Sequence, residues 1–211
     1  MFKADIINRM EKTGAMAIVR VETIERGYEI AQGCLAGGID VMEISYTLSN
    51  AGEVISALTK KYKDTMLIGA GTVLDAETCR MAILAGAKFI IAPNFSKEVA
   101  RMCNRYQIPY APGCTSVTEM VEALEVGASY IKAFPISNFY GPQLAKVIKT
   151  PIPEMPLMAS GGATLDNLHI WLESGISCVG FGSLLTKGSE EEICENAKQI
   201  QEIIHKYRNK A

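Results

Sequence analysis

The stretch Met66–Ala92, MLIGAGTVLDAETCRMAILAGAKFIIA, holds one complete unit of the fold. An apolar run, Met66–Gly69, meets the small-residue turn Gly69-Ala70-Gly71-Thr72; a helical pattern follows over Ala76–Leu84, and Gly86 precedes the next apolar run, Lys88–Ala92. Continuous apolarity, rather than alternation, marks parallel strands buried on both faces. A glycine just past the last helical residue is a common stop signal. Working outward, the same unit predicts further strands at Ala15–Arg20, Val41–Ser45, Pro109–Ala111, Tyr130–Phe134, Pro156–Ala159 and Ser177–Phe181. Helical patterns lie between them, at Ile24–Ala36, Ala51–Lys61, Lys97–Tyr106, Val117–Leu124, Gln143–Ile148, Leu165–Glu173 and Glu191–Tyr207. Gly37-Gly38, Gly127 and Gly175 stop helices, and Ser96 and the capping box Ser116-Val117-Thr118-Glu119 start them.

Eight such units in 211 residues predict an α/β (β/α)8 TIM barrel, with an extra N-terminal helix over residues 2–13, as a single domain spanning 1–211. A doubly wound open sheet usually has fewer strands, and no glycine-rich dinucleotide fingerprint follows the first strand here.

Composition narrows the function. A net charge of −2 gives no electrostatic case for nucleic acid or an anionic membrane. No apolar stretch approaches the ~20 residues needed to span a bilayer. The N-terminus lacks a signal peptide's apolar core, so a cytoplasmic protein is expected. Cys34, Cys79, Cys103, Cys114, Cys178 and Cys194 form no C-x-x-C pair and read as reduced, buried small hydrophobes; Cys114 alone adjoins a site loop. His169 and His205 have no ligand-type residue at metal spacing, so neither metal nor cofactor is expected.

In such a barrel, chemistry belongs to the C-terminal strand ends and the loops after them. Lys132, in Tyr130-Ile131-Lys132-Ala133-Phe134-Pro135, places an ammonium in an apolar strand. On that segment alone, a buried stem with its head reaching water is the simpler reading. A lysine that instead loses its proton becomes a nucleophile toward carbonyl carbon. Alternation along Val41–Ser45 puts Val41, Glu43 and Ser45 on one face, and along Tyr130–Phe134 it groups Tyr130, Lys132 and Phe134. Glu43 and Lys132 can therefore share the barrel interior, as a structural ion pair or as a base beside an imine-forming amine. Arg20 ends the first strand and can clamp an anion or form a surface ion pair; Thr72 offers a hydroxyl after a glycine turn. Ser160-Gly161-Gly162 and Gly180-Phe181-Gly182-Ser183 follow strands seven and eight, where barrels often hold phosphate on backbone N–H groups.

Taken in order, Ala17-Ile18-Val19-Arg20, Gly37-Gly38-Ile39, Met42-Glu43-Ile44, Gly69–Val73, Ala92-Pro93, Pro112-Gly113, Ile131–Pro135, Ser160-Gly161-Gly162 and Gly182-Ser183 resemble the motifs of a known family. It comprises the class I aldolases that cleave 2-keto-3-deoxy-6-phosphogluconate (KDPG) and 4-hydroxy-2-oxoglutarate (KHG). The resemblance implies Lys132 as the Schiff-base lysine and Glu43 as general acid/base. It puts Thr72, Pro93 and Phe134 at the pyruvate moiety, and Ser160, Gly161, Gly162, Gly182 and Ser183 at a phosphate. A metal-free homotrimer acting on a phosphorylated 2-keto acid is likewise implied. In one respect the chain departs from the pattern: Thr47 stands where the family's strand-two motif commonly carries an arginine for the pyruvate carboxylate. Arg20 is the candidate to supply that charge, with Thr47 and Thr72 adding neutral hydrogen bonds. The competing functions are a phosphosugar isomerase or epimerase on the same barrel, and a non-catalytic sugar-phosphate-binding protein.

Overall fold

A computed structural model describes residues 2–209. Along the chain it runs α1 (Lys3–Thr13), β1 (Ala15–Val19), α2 (Ile24–Ala36), β2 (Val41–Ser45), α3 (Ala51–Tyr62), β3 (Leu67–Gly71) and α4 (Ala76–Ala85). There follow β4 (Ile90–Ile91), α5 (Lys97–Arg105), β5 (Tyr110–Ala111), β6 (Gly113–Cys114), α6 (Val117–Glu125) and β7 (Ile131–Ala133). The last part is α7 (Ile136–Tyr140), α8 (Gln143–Lys149), β8 (Leu157–Ser160), α9 (Leu168–Glu173), β9 (Cys178–Phe181), α10 (Ser183–Thr186) and α11 (Glu190–Arg208).

Neighbouring strands follow the order β5-β4-β3-β2-β1-β9-β8-β7-β6, so β5 and β6 lie at opposite ends of the row. Only Pro112 separates those two segments in the chain. They are one strand interrupted by a residue without an N–H, and the row therefore closes on itself as an eight-stranded barrel. All the pairings are parallel. The Pro112 carbonyl still takes part, accepting from the Lys132 N–H at 2.9 Å.

Side-chain alternation sorts the strands into two cores. Met42, Ile44, Ile68, Ile131 and Val179 point outward and pack under the helices. Val41, Leu67, Phe89, Tyr130, Met158 and Cys178 point inward and fill the barrel. The helix α1 adds Ile6 and Met10 to the inner cluster. It ends one residue before β1, at Gly14 (φ 69°), and so closes the mouth at the N-terminal strand ends. This leaves the opposite mouth for a site.

The barrel with its extra helix matches the expectation, with local differences of physical origin. Asn167 accepts from the Thr164 N–H at 2.8 Å, and this turn delays α9 to Leu168 instead of Leu165. Pro112 hides the continuation of the fifth strand into β6. The short helices α7 and α10 were not expected at all, since five and four residues carry no periodic pattern. The Ser116/Glu119 capping box forms as read, and Gly38, Gly86, Gly127 and Gly175 all hold positive φ. Among the described residues no helix is long and apolar enough to cross a membrane.

Candidate active site

Glu43 (on β2) and Lys132 (on β7) come to the open mouth from strands separated by β1, β9 and β8, at 2% and 8% exposure. Both line one pocket of about 360 Å³. Neither makes an ion pair or side-chain hydrogen bond among the described residues, and Glu43 Oε2 is buried with no partner. Buried polar atoms are nearly always paired, so an orphan aimed into a pocket marks a place where a ligand group belongs. Glu43 is held from below by Gly71: a Cβ there would sit 2.5 Å from Oε1. Lys132 Nζ lies 4.8 Å from the centroid of the Phe134 ring.

Burial sets the protonation of both groups. It raises the Glu43 carboxyl above its ordinary value, against the lowering pull of Lys132 and Arg20. It lowers the Lys132 amine, helped by Arg20 and opposed by Glu43. Desolvation is the dominant cause on each side, so both groups are driven toward their neutral forms. A neutral amine beside a carboxyl that retains its proton is a nucleophile beside an acid. Cys114, near the same mouth, is pushed up to about 12 by burial and Glu119, and carries no thiolate at neutral pH.

Around this pair the pocket has four sides. Arg20 is exposed at the rim, without an ion pair among the described residues, and Ile18 lies below it. Thr47 and Thr72 form a hydroxyl wall over the buried Ser45, with Thr72 Oγ1 2.8 Å and Thr47 Oγ1 3.3 Å from Ser45 Oγ. Thr72 has φ 59°, a left-handed conformation that a β-branched residue rarely takes, and such strain clusters at functional sites. Pro93 and Phe134 are the apolar side. Across from them stand Ser160, Gly161, Gly182 and Asn138, the last from the unforeseen α7.

The residues singled out in the sequence thus converge, with two exceptions. Gly162 lies one residue beyond the pocket lining, and Ser183 faces a neighbouring cleft of about 700 Å³ together with Lys187 and Asp166. The backbone N–H groups of Gly161, Gly162, Gly182 and Ser183 donate to no acceptor among the described residues. Sequence reasoning gave no site role to Ile18, Ser45 or Asn138, and read Gly71 only as part of a glycine turn. Alternation already put Ser45 on the Glu43 face, and the same period along β1 would have put Ile18 on the Arg20 face; nothing in the pattern pointed to Asn138. Among the described residues no group of three or more His, Cys, Asp or Glu is placed to hold a metal ion.

Comparison with known proteins identifies the family. Residues 6–203 match the model of the KDPG and KHG aldolase family. The chain is 34% identical over 198 residues to the 2-dehydro-3-deoxy-6-phosphogalactonate aldolase of Escherichia coli K12, covering 93% of this chain and 96% of that one. A native KDPGal structure superposes with TM-score 0.87 at 32% identity, over 92% of this chain and 96% of that one. The KDPG aldolase of Legionella pneumophila, with pyruvate captured as a covalent carbinolamine, superposes with TM-score 0.78 at 26% identity over 96% of each chain. With the family model spanning nearly the whole barrel, the chain belongs to the KDPG and KHG aldolase family.

Proposed function

We propose that this chain is a class I aldolase that cleaves a phosphorylated 4-hydroxy-2-keto acid of the 2-keto-3-deoxy-6-phosphogluconate or -galactonate type into pyruvate and an aldehyde such as glyceraldehyde 3-phosphate. The observation that carries this reading is the buried, unbonded Glu43–Lys132 pair facing one pocket. Neutral Lys132 attacks the C2 carbonyl, and the Glu43 carboxyl gives its proton to the carbonyl oxygen. Loss of water leaves a protonated imine. Glu43, now a carboxylate, takes the proton of the C4 hydroxyl; the C3–C4 bond breaks, its electron pair passes into the imine, and the aldehyde leaves. The enamine is protonated at C3 and hydrolysed, which frees pyruvate and Lys132.

The remaining residues divide along the substrate. Arg20 at the rim supplies the charge for the carboxylate in place of the arginine absent at Thr47, with Thr72 as a neutral donor and Pro93 and Phe134 flanking the methyl end. The free N–H groups of Gly161, Gly162, Gly182 and Ser183, with Ser160, suit a terminal phosphate. The single barrel domain acts as a cytoplasmic homotrimer. Exposed apolar Phe139, Tyr140 and Val147 (80%, 68% and 68%) support burial against a second copy. Six free cysteines suit a reducing compartment.

The test is pyruvate release from phosphorylated and unphosphorylated 4-hydroxy-2-keto acids, together with borohydride trapping in pyruvate. Irreversible inactivation with added mass at Lys132 is expected. Turnover without an adduct, as an isomerase or epimerase would give, sinks the covalent mechanism. Arg20→Ala is expected to raise the KM for the keto acid; an unchanged KM removes Arg20 from the carboxylate.

A further inference from the structure

Resting on the reading of the pocket as a 2-keto-acid site, we infer that Thr47, Ser45 and Thr72 form a one-way hydrogen-bond relay that turns the Thr72 hydroxyl proton into the pocket, as the donor for the substrate carboxylate. The argument is a count of protons. Thr47 donates to Ser45 Oγ at 3.3 Å, and Ser45 Oγ and Thr72 Oγ1 are 2.8 Å apart. Each hydroxyl has one proton to give and lone pairs to receive. Ser45 is 1% exposed, and its only hydroxyl partners among the described residues are these two threonines. A buried donor left without an acceptor is costly, and the Thr47 proton already occupies the link to Ser45. The Ser45 proton therefore goes to Thr72. Thr72 Oγ1, already accepting from Ser45, keeps its own proton for the pocket that it lines.

Backbone geometry supports the same direction. Register pairs Ser45 with Gly71, and the Tyr46 N–H donates to the Gly71 carbonyl at 2.8 Å. The strand ends are thus locked where the hydroxyls meet, and Thr72 is held there at φ 59° in spite of its branched side chain. Donors in series also polarise one another, so the last hydroxyl is a better donor than an isolated threonine. Thr47, standing in the arginine's place, spends its proton inward on Ser45 rather than outward on the substrate. Its contribution to the carboxylate is indirect. Ser45 is accordingly a positioning residue, and Thr72 is the group in contact.

A double-mutant cycle tests this, with pyruvate as the probe. Pyruvate affinity is measured by calorimetry, and pyruvate-dependent borohydride inactivation is followed in parallel, for Ser45→Ala, Thr47→Val, Thr72→Val and the two double variants containing Thr72→Val. Loss of one hydrogen bond to a charged group weakens binding about tenfold. That is the expected effect of Ser45→Ala and of Thr72→Val, with a smaller effect for Thr47→Val; in Ser45→Ala, which leaves the pocket lining untouched, the limiting trapping rate should stay within about twofold. Once Thr72 is valine, neither upstream substitution should weaken pyruvate further. Thr47 is exposed, so its arm reads the relay even if Ser45→Ala folds poorly. Additive effects, or unchanged affinity in Ser45→Ala and Thr47→Val, overturn the relay and leave the imine standing. An intact cycle in calorimetry without any borohydride adduct sinks the imine and leaves the relay. Failure of the wild type to bind pyruvate overturns both.

Discussion

The two mouths of the barrel each hold charge drawn partly or wholly out of water, and they treat it in opposite ways. At the N-terminal mouth Arg9 bonds Asp40 at 2.7 Å and also donates to the carbonyls of Asp64 and Thr65. Thr13 donates to the other Asp40 oxygen, and Gln201 reaches the Thr13 carbonyl. At the C-terminal mouth Glu43 and Lys132 are more deeply buried, yet neither has a side-chain hydrogen bond among the described residues. One cluster spends its polarity on the fold, and the other withholds it for a ligand. A satisfied buried charge reads as architecture and an unsatisfied one as chemistry.

The comparison can be broken most forcefully at Lys132. Lys132→Met should lower kcat/KM by on the order of 10⁴-fold or more, since the covalent step is lost. It should also stabilise the fold, because an unpaired buried amine is replaced by an apolar chain. A variant that is both inactive and less stable in thermal unfolding would contradict the contrast between the mouths. Next comes Gly71→Ala, whose methyl would meet the Glu43 carboxylate. Misplacing a catalytic group by such an amount costs roughly 10²-fold in kcat, with little change in KM expected. Steady-state kinetics decide it.

Dependence on pH is the third test, and the signs follow from the two shifts. Lys132 is lowered from 10.5, so the reactive amine appears as pH rises through that depressed value. Glu43 is raised from 4.5, so its useful proton survives above the normal carboxylate range and is lost as pH rises through the raised value. The kcat/KM profile should be bell-shaped, falling about tenfold per pH unit on each limb. For stability the two groups act in opposite senses. The folded state holds the Glu43 proton longer than the unfolded chain, so this contribution is present in acid and lost as pH climbs from 4.5 through the raised value. The folded state binds fewer protons at Lys132, so that contribution grows as pH climbs from the depressed value toward 10.5. Glu43→Gln should abolish the first trend in denaturant titrations at several pH values.

The smallest effect on activity is expected at the other mouth. Arg9→Ala removes charged hydrogen bonds and should cost about 1.5–3 kcal/mol of stability. At 25 °C its kcat should equal that of the wild type. A loss of activity without a loss of stability would show that the N-terminal mouth is not purely architectural.

Much of this was legible in the residue pattern, and the reasons differ by region. Strand alternation left Glu43 and Lys132 able to share the interior once Met42 and Ile44 are given to the helix side, because a two-residue period leaves no third choice of face. The helix stops at Gly38, Gly86, Gly127 and Gly175 were equally readable, being fixed by local backbone demands. What stayed hidden depends on distant parts of the chain. Asn138 reaches the pocket from a five-residue helix with no periodic signature. Gly71 looks like any turn glycine until the Glu43 carboxylate is seen resting on it. The inward use of the Thr47 hydroxyl depends on Ser45 and Thr72, which only the β2–β3 register brings together.

The interrupted fifth strand has a consequence of its own. Pro112, between β5 and β6, and Pro93, just past the neighbouring β4, have no amide hydrogen to offer. The zipper between those strands ends with Ala92 donating to Ala111 at 3.1 Å, while the Pro93 carbonyl packs directly against Gly113. Above that point the Tyr110 hydroxyl, accepting from the Ser96 N–H at 3.3 Å and donating to the Asn94 carbonyl at 3.4 Å, ties the loop after β4 to β5. In an amide-exchange experiment, protection along β4 and β5 should fade toward the active mouth while the α1 end stays closed. Any loosening of the barrel is therefore expected first at the mouth that holds Glu43 and Lys132.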